Sequence, residues 1–207
     1  MNLSRLWALF GLFTLCLSQT LAQAQTPPHS AAQASADAPR VRVQTSQGDI
    51  VLELNAKAAP MTVANFLQYV RDKHYDGTMF HRVIDGFMIQ GGGYDAQYRE
   101  RPTRAPIAHE GRQALERGGP RNTVGTVAMA RTNDPHSATS QFFINVADNA
   151  FLDPSFQSFG YTVFGRVVAG MDVVKRIQST PTGAGGPFRS DVPRTPVIIQ
   201  SATLLTP

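Results

Sequence analysis

Apolar and polar residues alternate in two short stretches that follow residue 40. The alternation runs through residues 41–46, is interrupted by Gly48 and Asp49, and resumes through residues 50–54. A period of two places every second side chain on the same face of a strand. Two such stretches joined by a turn predict a β-hairpin with one buried face.

Two other stretches repeat their apolar residues every three to four positions, as one face of an α-helix does. The first begins at Pro60, which suits the first turn of a helix because proline lacks a backbone N–H. Its apolar residues are Val63, Phe66, Leu67 and Val70. A second helix is predicted over residues 171–178, where Asp172 in the first turn matches the positive end of the helix dipole.

The remaining apolar stretches are short and are separated by glycine and other turn residues. They cover residues 79–83, 87–90, 123–130, 141–146, 161–168 and 197–205, whereas residues 102–120 have no regular pattern. Many short strands with two separate helices indicate a mainly antiparallel sheet. Closing that sheet into a barrel would remove its exposed edges. Because side chains fill the interior of an eight-stranded barrel, a binding site is expected on the outer surface.

The first 24 residues have the parts of a secretory signal peptide. Arg5 supplies a positive charge, residues 6–17 form an uncharged apolar run, and residues 22–24 read Ala-Gln-Ala, as at a cleavage site. The apolar run is shorter than the roughly 20 residues that a membrane-spanning helix needs. Residues 1–24 are therefore predicted to be a signal peptide cleaved after Ala24, with an uncleaved membrane anchor as the alternative.

Cleavage would remove Cys16 and Trp7, the only cysteine and the only tryptophan of the chain. The mature protein could then form neither a disulfide nor a cysteine-based metal or redox site. Residues 25–39 have no apolar side chain larger than alanine apart from proline rings, so they are predicted to form a flexible linker. The folded domain is expected to cover residues 40–207, in the periplasm and without stable membrane association.

Composition and the absence of common motifs narrow the class of protein. Apolar residues make up 42% of the chain and charged residues 16%, which is typical of a globular protein. The net charge of +4 is spread without a basic run, so no nucleic-acid partner is expected. The histidines lack the spacing of metal ligands, and no metal site is predicted. Gly91–Gly93 are interpreted as part of a strand and turn rather than a phosphate-binding loop, and Asp148 and Asp153 as turn-capping residues.

Four segments of the chain carry a specific pattern. They are FHRVI at residues 80–84, FMIQGG at residues 87–92, SQFFINVADNAFLD at residues 140–153 and FGYTVFGRV at residues 159–167. Together they resemble the cyclophilin family of peptidyl-prolyl cis-trans isomerases in its bacterial periplasmic form, and the resemblance extends over residues 40–206. It implies a closed eight-stranded antiparallel barrel capped by two α-helices, a proline pocket on the outer face, and catalysis without a cofactor.

The resemblance also implies roles for individual residues. Arg82 matches the catalytic arginine of the family. The apolar lining of the proline pocket is matched by Phe87, Met88, Phe143 and Leu152. Groups that align the substrate backbone are matched by Gln90 and Gln141, and the segment along which the substrate lies by Ala130, Arg131 and Thr132.

Two positions of the predicted substrate site depart from the eukaryotic pattern of the family. Phe151 stands where many eukaryotic members have tryptophan, and Tyr161 stands where they have histidine. Isomerase activity is expected to survive these changes. Tight binding of cyclosporin, which uses the tryptophan N–H as a donor, is not expected.

Alternation along the strands separates these residues from the core, with one conflict. Gln141 and Phe143 share one face of their strand, and their apolar neighbours are expected on the core face. The same rule places Arg82 on the face of Phe80, which is expected in the core. Arg82 therefore reaches the outer surface only if its strand bends.

The expected activity is acceleration of rotation about X–Pro bonds in unfolded or flexible proline-containing polypeptides, by a monomer that assists the folding of exported proteins. A proline-peptide binding module of chaperone type with little turnover is the alternative, because it would keep the apolar pocket without requiring Arg82. A membrane-anchored scaffold that retains residues 1–24 is a third hypothesis.

Overall fold

The computed structural model describes residues 38–206. The predicted signal peptide and almost all of the predicted linker therefore lie outside the described residues. Among residues 38–206, no helix combines the length and apolar character needed to cross a membrane.

Ten strands and three α-helices make up the described chain. The strands are β1 (Arg40–Thr45), β2 (Gly48–Leu54), β3 (Thr78–Ile84), β4 (Met88–Asp95), β5 (Thr126–Met129), β6 (Phe142–Asn145), β7 (Val163–Ala169), β8 (Thr182–Gly185), β9 (Phe188–Pro193) and β10 (Ile198–Leu205). The helices are α1 (Pro60–Arg71), α2 (Gly111–Glu116) and α3 (Met171–Gln178), with a 3-10 turn at Ala150–Leu152.

Eight of the strands close into an antiparallel barrel in the order β1-β10-β3-β4-β6-β5-β7-β2. The predicted hairpin forms β1 and β2, whose register runs from Arg40 opposite Glu53 to Thr45 opposite Gly48. Strands β8 and β9 pair with each other in a separate two-stranded sheet. The closed antiparallel barrel inferred from the resemblance is thus confirmed.

The interior of the barrel is filled by the inward-facing side chains of its strands. Ile50, Phe80 and Phe164 are fully buried there. Helix α1 adds Phe66, whose ring centroid lies 5.1 Å from that of Phe164 and 5.6 Å from that of Phe142. Because side chains occupy this space, the interior offers no room for a substrate.

Both predicted helices are confirmed, and a third short helix lies in the segment for which no pattern was found. Helix α2 is only six residues long, which is too short for a helical period to appear in the sequence. The buried carboxylate of Glu110 precedes it and accepts hydrogen bonds from the backbone N–H groups of Met61 and Thr62 at the start of α1. These N–H groups have no partner within α1, so Glu110 both caps α1 and ties α2 to it.

Candidate active site

A β-bulge in β3 resolves the conflict between Phe80 and Arg82. Phe80 lies opposite Gly91 of β4, but Arg82 lies opposite Gln90, so two residues of β3 correspond to one residue of β4. The extra residue reverses the alternation: Phe80 points into the barrel and Arg82 is exposed on its outer surface. His81 between them is buried, stacked on the ring of Phe188 at 5.4 Å.

The strand register places five residues in one row across the outer face of the barrel. Arg82 pairs with Gln90, Gln90 with Phe143, Phe143 with Ala128, and Ala128 with Val163. Directly opposed residues of antiparallel strands have Cβ atoms about 4.5–5.5 Å apart. The row therefore has a polar end at β3 and β4 and an apolar end at β6, β5 and β7.

Two side-chain amides link Arg82 to the middle of this row. Arg82 Nη1 donates to Gln90 Oε1 at 3.4 Å, and Gln90 Nε2 donates to Gln141 Oε1 at 3.0 Å. Gly93 makes room for the last of these groups, because a Cβ at this position would come within 2.6 Å of the Gln141 side chain. Among residues 38–206, no carboxylate forms an ion pair with Arg82.

The apolar end of the row belongs to a second hydrophobic cluster that is separate from the barrel interior. Its buried members, here called the outer apolar cluster, are Met88, Ala128, Phe143, Leu152 and Val163. Four half-buried residues pack against them: Ile84, Phe87, Ala130 and Tyr161. This cluster provides a hydrophobic surface next to the guanidinium of Arg82.

Aromatic rings extend the outer apolar cluster on two sides. The ring of Tyr161 meets the ring of Phe143 edge-on, with centroids 5.5 Å apart. The ring of Phe151 stacks on that of Phe87 at 5.6 Å while remaining 72% exposed. Phe151 therefore presents an apolar face to solvent beside the cluster.

Arg131 is held against the cluster by its ring contact and its hydrogen bonds. Its guanidinium carbon lies 4.6 Å from the centroid of the Tyr161 ring, a cation–π distance. Its Nε and Nη2 atoms both donate to the carbonyl oxygen of Gly160, at 3.0 and 2.9 Å, and Nη1 donates to Thr132 O at 2.8 Å. Three of the five N–H donors of this guanidinium are therefore used, which fixes its orientation.

Two histidines near this surface, His109 and His81, have lowered pKa values. Burial is the main cause for His109, whose pKa is lowered, and the nearby charge of Arg131 acts in the same direction. Burial lowers the pKa of His81 to about 4. In the described part of the chain, no three His, Cys, Asp or Glu side chains are grouped so as to hold a metal ion.

The two aspartates interpreted as turn-capping residues accept backbone hydrogen bonds. Asp148 Oδ1 accepts from the N–H of Val124, and Asp153 Oδ1 accepts from the N–H of Asn122. Gly91–Gly93 lie within β4 rather than at its end. Both aspartates therefore cap loop backbone, and the three glycines are strand residues.

The structure brings most of the predicted substrate-site residues onto one outer face. Phe87, Met88, Ala130, Phe143, Leu152 and Tyr161 belong to the outer apolar cluster or pack on it, and Gln90 and Gln141 lie between them and Arg82. Thr132 follows Arg131 in the chain, and its N–H donates to Ser137 Oγ. Ile84, Ala128 and Val163 share the cluster but were not predicted, although alternation with inward-facing Val127 and Phe164 would have placed two of them on this face.

A cavity lies elsewhere on the described part of the molecule. Its volume is about 300 Å³, and it is formed by the end of α1 and by residues 101–104. Tyr69, Asp72 and His74 line it, together with arginine side chains. None of the predicted site residues lines this cavity, so the two surfaces can be distinguished by experiment.

Comparison with known proteins places the chain among isomerases. The model of the family described as cyclophilin type peptidyl-prolyl cis-trans isomerase matches residues 40–204. The chain is 55% identical over 168 residues to the peptidyl-prolyl cis-trans isomerase cyp18 of Streptomyces antibioticus, an alignment that covers 80% of this chain and 98% of that protein. It is 50% identical over 167 residues to peptidyl-prolyl cis-trans isomerase B of Escherichia coli, covering 79% and 98% of the two chains.

A solved structure has the same fold. The crystal structure of a cyclophilin type peptidyl-prolyl cis-trans isomerase of Cryptosporidium parvum, determined in the presence of the dipeptide Ala-Pro, superposes with a TM-score of 0.64 at 25% identity. The superposition covers 81% of this chain and 99% of that one.

Proposed function

The chain belongs to the cyclophilin family of peptidyl-prolyl cis-trans isomerases, and we propose that the outer face around Arg82 is its active site. The observation that carries this proposal is the position of an exposed guanidinium, free of a carboxylate partner within residues 38–206, at the edge of the outer apolar cluster. The cluster would bind the proline ring, and Arg82 would act on the bond that rotates.

The chemistry of the reaction explains why an arginine suits this position. Rotation about a peptide bond is slow because amide resonance is lost at the twisted geometry, with a barrier of about 18–20 kcal/mol. In that geometry the proline nitrogen becomes pyramidal and regains a lone pair. A donor aimed at this lone pair stabilises the transition state more than the planar ground state, which is the condition for catalysis. Arginine is always protonated, so no proton needs to be transferred.

The size of this effect shows that Arg82 would not act alone. A hydrogen bond to a charged group contributes about 1.5–3 kcal/mol net, which corresponds to a rate factor of roughly 10 to 150. The remainder would come from the outer apolar cluster, where Phe143, Met88 and Leu152 would hold the ring while the preceding residue turns. An apolar surface also disfavours the charge-separated planar amide relative to the twisted one.

The two glutamines would align the substrate backbone. Gln141 uses its Oε1 atom to accept from Gln90, and within residues 38–206 its Nε2 atom has no hydrogen-bond partner. That N–H group can donate to a substrate carbonyl. Gln90 bridges Gln141 and Arg82, so the donor to the carbonyl and the donor to the proline nitrogen would be held at a fixed spacing.

Titration of the isotopically labelled protein with an Ala-Pro peptide tests the location of the site. We expect the largest amide shift changes at Arg82, Gln90 and Phe143, and small changes around Tyr69 and Arg104. The opposite distribution would move the substrate site to the cavity beside α1.

The proposed cellular role is assistance to the folding of exported proteins in the periplasm. It is supported by the signal-peptide pattern of residues 1–24 and by the lack of cysteine in residues 25–207. The protein isolated from the periplasm should have the mass of a chain that begins at Gln25. It should also show no tryptophan fluorescence. Tryptophan emission from the isolated protein would mean that Trp7 is retained and that the chain remains anchored.

A further inference from the structure

Three phenylalanines are exposed in one short stretch next to the proposed active site. They are Phe151, Phe156 and Phe159, whose exposed fractions are 72%, 102% and 57%. Within residues 38–206 no other phenylalanine is exposed to this extent. Single exposed apolar residues are ordinary on protein surfaces, whereas a concentration of large ones marks a surface that binds something.

The segment that carries two of these rings, residues 154–160, is held in a defined conformation and is here called the aromatic loop. Its ends are joined by a hydrogen bond of 2.9 Å from the N–H of Tyr161 to the carbonyl oxygen of Leu152. Gly160 O accepts from two Arg131 nitrogens and lies 3.2 Å from His109 Nε2. Arg112 of α2 donates to Ser155 O at 2.7 Å. Hydrogen bonds therefore fix the loop from both sides while its phenylalanine rings stay in solvent.

The aromatic loop is continuous with the outer apolar cluster. Leu152 and Tyr161 flank the loop in sequence, and both belong to the cluster or pack on it. Arg131 contacts both the outer apolar cluster and the aromatic loop, because it lies over the Tyr161 ring and binds Gly160 O. Phe159 in turn packs its ring edge-on against His109 at 6.0 Å. The aromatic loop is thus joined to the proposed proline site through Tyr161 and Arg131.

We propose that the aromatic loop is a second contact surface for the substrate and selects X–Pro segments that carry a large apolar residue near the proline. This inference rests on the proposed active site and specifies its substrate class. Large apolar side chains are mostly buried in folded proteins, so a segment of this kind is available mainly in unfolded or flexible polypeptides.

Contact distances indicate how far from the proline this apolar residue would lie. The ring centroids of Phe143 and Tyr161 are 5.5 Å apart, and Arg131, which binds the base of the loop, lies 4.6 Å from the Tyr161 centroid. These two contacts set an upper bound on the distance from Phe143 to Arg131. An extended chain advances about 3.3–3.6 Å per residue, so about three residues are enough to span this bound and reach the base of the loop.

Isomerisation rates on a set of short peptides test the inference. Each peptide contains one Ala-Pro bond and a single phenylalanine placed one to four residues away on either side, and a reference peptide has serine at that place. We expect the wild-type protein to show its highest kcat/KM for a phenylalanine within about three residues of the proline. Replacing both rings (Phe156→Ser with Phe159→Ser) should lower the ratio of this kcat/KM to that of the reference peptide about fivefold.

Matched variants separate the apolar contact from a change in the fold. Phe156→Leu with Phe159→Leu should retain most of the preference, because leucine keeps the apolar surface. Leu204→Ser removes an exposed apolar residue of β10, paired with Val41 of β1, and should leave the ratio unchanged. Unfolding midpoints of all variants show that each is folded.

An unchanged ratio in the double serine variant would overturn the inference without touching the proposed active site. If the sedimentation of that variant also changed, the loop would be assigned to contact with a second copy of the chain. If Arg82→Ala retained the full rate on every peptide, the proposed active site would fail instead.

Discussion

The guanidinium of Arg82 has an amide and not a carboxylate as its neighbour. A carboxylate at that distance would form a charge-assisted pair and would compete with the substrate for the donor hydrogens. Gln90 accepts one hydrogen bond at 3.4 Å, which orients the side chain but leaves its charge uncompensated. The pairing is therefore suited to a group that must donate to a weak acceptor such as an amide nitrogen.

The substitution Gly93→Ala tests whether the position of Gln141 matters for activity. The new Cβ would come within 2.6 Å of the Gln141 side chain, which is flexible and can move away. We expect the Gln90–Gln141 hydrogen bond to be lost and kcat/KM to fall about tenfold, the rate equivalent of one lost hydrogen bond. The free energy of unfolding should change by less than about 1 kcal/mol.

A matched control for this prediction is Gly183→Ala in β8. It adds the same methyl group on a strand, 3.2 Å from the side chain of Arg194, outside the proposed site. Its activity should equal that of the wild type. A Gly93→Ala protein with unchanged activity would show that Gln141 does not align the substrate.

His81 makes the stability of the protein depend on pH below neutrality. Burial lowers its pKa from 6.5 to about 4, and its Nδ1 atom has no hydrogen-bond partner in the described chain. Between these two values the unfolded chain binds a proton that the folded protein does not, so stability is lost as pH falls from 6.5 towards 4. The loss at pH 4.5 should be about 2–3 kcal/mol relative to pH 7.5.

The substitution His81→Phe isolates this contribution from that of other titrating groups. Phenylalanine keeps an aromatic ring against Phe188 and Tyr94 and cannot be protonated. Urea unfolding at pH 7.5 and pH 4.5 should show a smaller stability difference for the variant, by about 2–3 kcal/mol. Equal differences in both proteins would mean that His81 is protonated in the folded state.

At the scale of the elements, the bulge in β3 turns Arg82 to the face opposite Phe80, which alternation alone could not predict. Short apolar stretches bounded by turn residues located β3 and β4, and alternation placed Phe143 outward. A bulge depends on the register against the neighbouring strand, and that information is not local in sequence. Gly91, whose added Cβ would lie 3.0 Å from Met79 O, lets the two backbones approach at this place. Only the paired strands show why Arg82 and Phe80 point to opposite sides.

Two elements escaped prediction for a related reason. Helix α2 contains six residues, fewer than two turns, so no helical period appears. In the hairpin, β8 reads Thr-Gly-Ala-Gly and β9 reads Phe-Arg-Ser-Asp-Val-Pro, and neither alternates apolar with polar side chains. Both are fixed by contacts made elsewhere in the chain. Glu110 ties α2 to α1, and the ring of Phe188 in β9 stacks on His81 of β3.

An ion triad joins three neighbouring strands of the barrel. Glu53 of β2 is 7% exposed and binds Arg40 of β1 and Arg166 of β7, each at 2.8 Å. Burial alone would raise the pKa of Glu53, but the hydrogen bonds and charges of the two arginines outweigh it and lower the pKa below 4.5. The stabilisation is therefore present above pH 4.5 and is lost as pH falls through the lower pKa of the folded state.

Replacing Glu53 by glutamine should destabilise the barrel at neutral pH. We expect a loss of about 1–2 kcal/mol at pH 7, because the bonds to charged groups are strong but both arginines are half exposed to solvent. Urea unfolding should show this loss at pH 7 and a smaller one at pH 3. The exposed Glu100→Gln is the control, and an equal loss in both variants would contradict a specific role for the triad.

At the scale of the whole molecule, closure of the barrel leaves only its outer face available for a binding site. The interior is occupied by packed side chains, so the barrel serves to hold β3, β4, β6, β5 and β7 side by side. Strand neighbours such as β3 and β10, or β4 and β6, are far apart in sequence. The pattern of apolar and polar residues indicated an antiparallel sheet and suggested that it closes into a barrel. The count of eight barrel strands came from the family resemblance, because long-range pairing sets the strand order.

The site follows from the same long-range order. Arg82, Gln90 and Phe143 come from three strands, and their row exists only because these strands are adjacent and in register. Residue types alone could equally describe a surface salt-bridge partner and core aromatics. The family resemblance selected the residues, and the register now supplies the physical reason for their proximity.

The central claim is that Arg82 acts on the rotating bond rather than on binding. Exchange NMR spectroscopy of an Ala-Pro peptide measures the cis–trans interconversion rate at saturation and the dissociation constant in one experiment. The Arg82→Ala variant should slow interconversion by roughly 10- to 150-fold with a dissociation constant within about threefold of wild type. Arg82→Lys should recover little of the rate, and Arg189→Ala, which removes an exposed arginine of β9, should behave as wild type. An unchanged interconversion rate in Arg82→Ala, or a loss confined to the dissociation constant, would contradict the claim.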